Sequence, residues 1–344
     1  MLATRARAAL RVEANSCRRL HIHSPLIRSS PITKVLSEDG APSSTNVHLK
    51  LDAVQPGGSF KIRGLGRLAE VQRRSGKSTF VSSSGGNAGM AVAVAAQKME
   101  AKAIICVPNS TPQYMIERLH ALGAEVSVEG TVWDEADQLA RQLCRDGDGY
   151  GYFPPFDHPE IWDGNATVIE EIYEEFAPQS KKPSGIVTCV GGGGLLIGIV
   201  KGLQKVGWGD VPVIAGETDG ANCFAEAQSK GAQVTLPAIT SIAKSLGALT
   251  VSSEALNCDK SHTIYSSVCT DASAVNACIN FANDHRILVE PACGAALACV
   301  YDPLARKSLA SQDPVIFSGD LVVIVCGGNM VTPEIMRTWQ KEYL

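Results

Sequence analysis

Three short stretches hold residues whose types and spacing could do chemistry. In Gly57-Gly58-Ser59-Phe60-Lys61-Ile62-Arg63-Gly64 a lysine stands between two apolar side chains, just ahead of a helical pattern that continues to about Arg74. An amine enclosed in this way is partly desolvated, which lowers its pKa and makes it a candidate Schiff-base nucleophile. Taken alone, it reads more simply as a surface lysine on the first turn of a helix. In VTCVGGGGLLIGIVKGL an apolar strand runs into Gly191, Gly192, Gly193 and Gly194 and then into an amphipathic helix. Unobstructed backbone N–H groups at a helix N-terminus, with the helix dipole behind them, suit a phosphate. A dinucleotide fingerprint matches poorly, because Leu196 stands where its third glycine belongs. The third stretch, Ser82-Ser83-Ser84-Gly85-Gly86-Asn87-Ala88-Gly89, again joins a strand to a helix. Its hydroxyls, amide and backbone donors suit a carboxylate or the edge of a cofactor ring, or they simply cap the helix.

The elements that must position these stretches follow a repeating order. VHLKLDAV (47 to 54), STFVSS (78 to 83), KAIICVP (102 to 108) and AEVSVEG (124 to 130) are predicted strands by their β-branched content and short length. FKIRGLGRLAEVQRR, NAGMAVAVAAQKM and QYMIERLHALG, which lie between them, are predicted helices. Such alternation implies a mostly parallel sheet with helices on both faces. After a Pro- and Gly-rich break, GYGYFPPFDHPEIWDG (149 to 164), the pattern resumes with the strands GIVTCV, VPVIAGE and LVVIVCGG. Two such blocks predict two α/β domains with the ligand site in the cleft between them.

Composition narrows the function classes. A chain of 344 residues is long enough for two domains. With 31 Lys plus Arg against 35 Asp plus Glu, a net charge of -4 offers no basic surface for nucleic acid. No apolar run approaches the roughly 20 residues needed to span a bilayer, so small molecules are the expected partners. The 11 cysteines are spread evenly, form no CxxC pair and mostly sit in apolar runs, as reduced, buried thiols do. His21 and His23 are closely spaced, but no zinc pattern forms around them. The segment 1–19 carries Arg5, Arg7, Arg11, Arg18 and Arg19 against Glu13, with Leu2, Ala9, Leu10 and Val12 able to form an apolar stripe. It reads equally as a mitochondrial transit peptide, which would put the mature chain in the matrix, or as a basic tail on a cytoplasmic protein.

A lysine, a distant phosphate cradle and a polar Ser/Asn turn are the parts that pyridoxal phosphate requires, for its aldehyde, its phosphate and its ring hydroxyl. At this level of detail the chain resembles the fold-type II pyridoxal-phosphate enzymes, and among them the L-serine/L-threonine dehydratases (serine ammonia-lyases). The resemblance is carried by GSFKIRG (58 to 64), SSGGNAG (83 to 89), PPFDHPEIWDGNA (154 to 166), CVGGGGLL (189 to 196), GETDGANCF (216 to 224), AKSLGA (243 to 248) and VVIVCGGN (322 to 329). It implies an α/β fold of two open parallel-sheet domains, like the tryptophan synthase β-subunit, with the cofactor in the interdomain cleft. Residues 20–54 and 160–344 would form the large cofactor-binding domain, and 55–159 the small domain carrying the lysine and the Ser/Asn turn.

The resemblance also implies roles. Lys61 becomes the Schiff-base lysine and the catalytic base for the α-proton, with Phe60 lining the cofactor pocket. Asn87 is implied to hydrogen-bond the ring hydroxyl, Gly191 to Gly194 with Leu195 to hold the phosphate, and Cys326 to face the pyridine nitrogen. Ser84 with Gly85, Gly86 and Asn87 is implied to bind the substrate carboxylate. Glu217, Ala221, Cys223, Leu246 and Ala248 resemble a monovalent-cation site. A lone carboxylate among carbonyls suits potassium or sodium better than a divalent ion, although Glu217 also reads as a strand-end helix cap. A thiol at Cys326 cannot keep the ring nitrogen protonated as an aspartate would, which favours loss of a β-hydroxyl over transamination. The expected enzyme is a catabolic lyase, commonly a homodimer, that feeds gluconeogenesis by converting L-serine to pyruvate and L-threonine to 2-oxobutyrate, each with ammonia.

Rival readings are separated by single positions. Serine racemase needs a second base, supplied in that family by a serine two residues before the turn's asparagine, and here that position is Gly85. Biosynthetic threonine deaminase carries a regulatory C-terminal extension that the pattern here does not show. Cysteine synthase follows its lysine with an acid and an arginine, where this chain has Ile62 and Arg63. A non-catalytic α/β ligand-binding protein would be expected to have lost the lysine, and Lys61 is present.

Overall fold

The computed structural model describes residues 19–344. The expected transit peptide or basic tail at 1–19 lies, apart from Arg19, outside the described residues. Strands β1 (Leu26–Arg28) and β2 (Asn46–Lys50) come first, followed by β3 (Thr79–Ser82), β4 (Lys102–Val107), β5 (Glu125–Val128) and β6 (Tyr150–Tyr152). The remainder are β7 (Gly185–Cys189), β8 (Val213–Thr218), β9 (Ile264–Cys269) and β10 (Asp320–Ile324). They form a six-stranded sheet in the order β1-β2-β10-β7-β8-β9 and a four-stranded sheet in the order β5-β4-β3-β6. Every pairing is parallel except β1 with β2, an antiparallel edge with Leu26 opposite Lys50. β3, β7 and β8 are buried at every position, as strands must be when helices cover both faces of the sheet.

Two sequence expectations need correction. VHLKLDAV does not stay extended to Val54: the strand ends at Lys50 and Asp52–Val54 form a 3-10 turn. The turn brings Asp52 to Arg63, with 2.6 Å between Oδ2 and Nε. The break at 149 to 164 is also more ordered than its Pro and Gly content implies. Tyr150 pairs with Thr79 to add β6 to the smaller sheet, and Pro159 begins the long helix Pro159–Phe176. Proline costs nothing there, because the first helical N–H has no partner in any helix, and the His158 ring accepts a hydrogen bond from the Glu160 N–H. Neither β1 nor β9 was anticipated from the sequence.

A buried ionic cluster fixes the helix that carries the lysine. Helix Lys61–Arg74 enters with Arg63 fully buried. Its guanidinium holds Asp52 through Nε and Nη2 at 2.6 and 2.8 Å, and Glu171 through Nη1 and Nη2 at 2.6 and 2.9 Å. Lys50 adds a second cation, 2.6 Å from Glu171. Two cations therefore meet two carboxylates out of contact with water, which is the arrangement in which buried charge is tolerated. Burial works against the charge of Asp52 and of Glu171, but Arg63, with Ser24 and Gln55 at Asp52 and with Lys50 at Glu171, outweighs it and holds both below the usual carboxylate range. Helix 159–176 supplies Glu171, so the start of the lysine helix is tied both to the β2 exit and to that helix.

Candidate active site

A cavity of about 840 Å³ opens where the carboxyl ends of four strands converge. β3 leads into the Ser/Asn turn, β6 into Pro155 and Phe156, β7 into the glycine turn and β10 into Cys326. Open parallel sheets place ligands outside these ends for a general reason: the loops there begin helices whose free N–H groups face the opening.

Lys61 is the first residue of its helix. The surface reading had its position right and its surroundings wrong, because the side chain is half-buried and turns into the cavity. Its Nζ donates to the Pro155 carbonyl at 2.6 Å and lies 5.2 Å from the centre of the Phe60 ring. Burial pulls the ammonium down to about 8, against the opposing influence of Cys189, Cys326 and Glu290. A substantial share of the amine is then neutral near physiological pH, which a nucleophile or base requires.

The glycine turn lies in the same cavity and starts helix Gly194–Lys205. No side chain caps that helix, so its first N–H groups are left for a ligand. Gly193 has φ +92°, a left-handed conformation that side chains resist. A Cβ on Gly192 would lie 2.4 Å from the Phe156 ring. Both glycines are therefore set by geometry, and the turn fits a phosphate. Leu195 follows the turn and is buried at the cavity wall.

The Ser/Asn turn is not closed by a side chain either. Gly86 occupies the capping position of helix Asn87–Lys98 without a side-chain bond, so the simple capping alternative does not hold. Ser83, Ser84, Gly85, Gly86 and Asn87 all line the cavity, although the Ser83 hydroxyl is engaged by Asp137 at 2.5 Å. Ser84 Oγ accepts only a long bond, 3.3 Å, from the Gly86 N–H. Asn87 Nδ2 donates to Glu290 Oε1 at 2.5 Å, while Asn87 Oδ1 is buried without a hydrogen-bond partner.

Cys326 also lines the cavity, its Sγ 3.3 Å from that of Cys189. Contacts with Cys189 and Cys293, together with burial, push its thiol well above the usual value, so it presents a neutral group. Glu217 is placed differently from the other candidates, behind the glycine turn and outside the cavity lining. It is fully buried, and its two oxygens accept the Phe224 and Ala225 N–H groups at 3.0 and 2.8 Å, so it does cap helix Cys223–Lys230. Burial pushes it up to about 8 despite those bonds. Cys223 Sγ lies 3.5 Å from the Gly191 carbonyl, and the Leu246 Cα would lie 3.0 Å from a Cβ on Gly191. Ala221 is buried nearby, while Leu246 and Ala248 reach the cavity wall.

Sequence reasoning missed three contributors. Pro155 and Phe156 give the lysine its acceptor and the glycine turn its floor, and they lay in the segment read as a break. Glu290, buried beside Asn87, carried one available signal, an acid immediately ahead of the Pro-led apolar helix Pro291–Tyr301.

The parts fit pyridoxal phosphate on structural grounds. The lysine amine is desolvated, the glycine turn offers uncapped N–H groups, and an unpartnered buried amide oxygen stands in the same cavity. The sequence profile of the pyridoxal-phosphate dependent enzymes matches residues 20–327. A human protein named L-serine dehydratase/L-threonine deaminase is 46% identical over 323 residues, covering 94% of this chain and 95% of its own length. The crystal structure of a fungal L-serine ammonia-lyase from Rhizomucor miehei superposes with a TM-score of 0.84 at 34% identity, covering 94% of this chain and 99% of that one. Maize serine racemase shares the fold, with a TM-score of 0.81 at 22% identity over 93% and 92% of the two chains.

Proposed function

The chain belongs to the pyridoxal-phosphate dependent enzymes, with the fold-type II architecture, and from that premise we propose that it is an L-serine/L-threonine ammonia-lyase. It would release pyruvate and ammonia from L-serine, and 2-oxobutyrate and ammonia from L-threonine. The observation that carries this reading is Lys61. Its amine is brought to about 8 by burial and opens on the same cavity as the glycine turn and a neutral thiol.

Bound there, pyridoxal phosphate supplies an electron sink for the bond at the substrate's α-carbon. The residues of the chain do the rest. Lys61 would hold the cofactor through its aldehyde, and its free amine would take the α-proton at Nζ. The N–H groups of Gly191 to Gly194 and Leu195 would orient the phosphate, and Asn87 would address the ring hydroxyl. Ser84 Oγ and the N–H groups of Gly85, Gly86 and Asn87 hold the substrate carboxylate. Cys326 would offer the ring nitrogen a neutral thiol, which would keep the sink mild and favour loss of the β-hydroxyl. A racemase would need a second base where Gly85 stands. A Cβ there would lie 2.8 Å from Thr111 Cγ2, so the space is closed as well as the functional group missing.

The same reading assigns a potassium or sodium ion to Glu217 with the carbonyls of Ala221 and Leu246, beside Cys223 and Ala248. A cation beside Glu217 would restore the charge that burial suppresses. The homodimer is likewise part of this proposal. The test is release of 2-oxoacid from L-serine, L-threonine and D-serine in potassium and in sodium buffer. Turnover of both L-substrates and its loss in Lys61→Ala is expected. Turnover that survives Lys61→Ala would sink the assignment.

A further inference from the structure

Glu290 has no part in the function proposed above, although this inference rests on that reading because it assumes a cavity that holds pyridoxal phosphate. Among the described cavity-lining residues it is the only buried acid, since Asp134 is exposed. Fully buried carboxyl groups are rare unless something requires them. We propose that Glu290 is a positioning residue: its carboxylate fixes the side-chain amide of Asn87 so that the unused polar capacity of that amide is kept for the cofactor ring hydroxyl.

The two ends of an amide have nearly the same shape and differ in what they can bond. A carboxylate accepts and cannot donate, so it admits only the Nδ2 end. In the structure Nδ2 donates to Glu290 Oε1 at 2.5 Å. The second Nδ2 hydrogen has only a long contact, 3.4 Å to Ser245 Oγ, and Oδ1 has no partner at all. Asn87 therefore arrives at the cavity with one end anchored and with donor and acceptor capacity to spare.

The placement of Glu290 argues against a purely structural role. It stands at the capping position of helix Pro291–Tyr301, yet its side chain makes no capping bond. Its backbone N–H meets the Gly327 carbonyl at 3.3 Å, which sets the residue beside the exit of β10 where Cys326 lies. Glu290 Oε2 is buried without a hydrogen bond. Burial raises the carboxyl, while first the Asn87 amide, then the Ser245 hydroxyl and the Met330 N–H, and last the Lys61 charge draw it back down. The group that most directly favours its charged form is thus the amide it is proposed to orient.

The test uses the cofactor's own spectrum. The ring hydroxyl and its hydrogen-bond partner set the balance between the visible and near-ultraviolet bands of bound pyridoxal phosphate, so the band ratio and the cofactor Kd are read in wild type, Glu290→Gln, Glu290→Ala, Asn87→Ala and the Glu290→Gln/Asn87→Ala pair. Glu290→Gln preserves size but can face either end of the amide. It is expected to shift the band ratio and to weaken cofactor binding about tenfold. Added to Asn87→Ala it is expected to change neither quantity further, because it acts through Asn87. An unchanged spectrum in Glu290→Gln, or effects that add in the pair, would overturn the proposal while wild type still shows the visible band. A wild type without that band overturns the cofactor reading itself, a separate and recognisable outcome. If Glu290→Ala fails to fold, the near-isosteric Glu290→Gln decides.

Discussion

Arg63→Met tests whether the buried ionic cluster, rather than helix propensity, holds the start of the lysine helix. The substitution keeps an unbranched stem and removes the charge. Asp52 then loses its bonds at 2.6 and 2.8 Å, leaving only Ser24 and Gln55 as hydrogen-bond donors, whereas Glu171 keeps Lys50 at 2.6 Å. One cation faces two carboxylates, and an uncompensated buried carboxylate costs about 3–5 kcal/mol. In the wild type Arg63 holds Asp52 and Glu171 below their ordinary pKa values. Their contribution is therefore present above the unfolded carboxylate pKa and is lost as pH falls through the depressed folded values. In the variant burial dominates and Asp52 moves up, so protonation relieves the penalty. The expected result from urea unfolding is a loss of about 3–5 kcal/mol at about pH 7 that shrinks towards about pH 5. A gap below about 1 kcal/mol near neutrality, or one that widens in acid, would refute the argument.

Three further outcomes follow from the site. Only the neutral amine of Lys61 attacks an aldehyde, so cofactor uptake by cofactor-free protein, followed by absorbance, should rise with pH and level off above about 8; a flat profile between about pH 6 and pH 9 contradicts the desolvated lysine. Gly85→Ser should cost about 1–3 kcal/mol by overpacking. Because Thr111 Cγ2 would lie 2.8 Å from the new Cβ, Thr111→Ser should recover much of that loss in a thermal melt, and no recovery would mean that the clash lies elsewhere. Glu217 has its folded pKa raised to about 8, so its contribution is fully present below the unfolded carboxylate value and is lost as pH rises through about 8. A bound cation reverses that loss, so the gain in melting temperature with potassium over choline should grow with pH and vanish in Glu217→Gln. An equal gain in that variant would place the ion at another site.

The parts of the molecule legible in the sequence are those whose signals are local. β3, β4, β5, β7, β8 and β10 showed as short β-branched runs, Lys61 showed because it opens a helical run between apolar side chains, and the glycine turn and the Ser/Asn turn showed because each sits at a strand-to-helix junction. What stayed hidden depends on partners far along the chain. Arg63 meets Asp52 at a separation of 11 residues but Glu171 at 108, and no spacing rule joins them. Asn87 and Glu290 are 203 residues apart. β6 was obscured by Pro and Gly because its stability comes from pairing with β3, not from its own three residues. Glu217 was legible as a residue but ambiguous as a role, since capping a helix and holding a cation both call for a buried carboxylate at a strand end.

The charge pattern of the cavity supports the reactive role proposed for the lysine. Cys189 and Cys326 face each other at 3.3 Å, and the raised pKa of Cys326 keeps that wall uncharged near the expected position of the ring nitrogen. Lys61 and Glu290 are then the charged groups drawn out of water along the described lining, since Lys244 and Asp134 are exposed. Burial acts on the two in opposite chemical senses, lowering the lysine and raising the glutamate. Glu290 shares its oxygen with Asn87 at 2.5 Å, while the close hydrogen-bond partner of Lys61 is a neutral carbonyl, that of Pro155. A carboxylate bonded directly to Lys61 would hold it as an ammonium, unable to attack an aldehyde or accept a proton. Giving the lysine a carbonyl and the carboxylate an amide keeps the amine near its deprotonation point, and the anchoring of Arg63 two residues later keeps it aimed into the cavity.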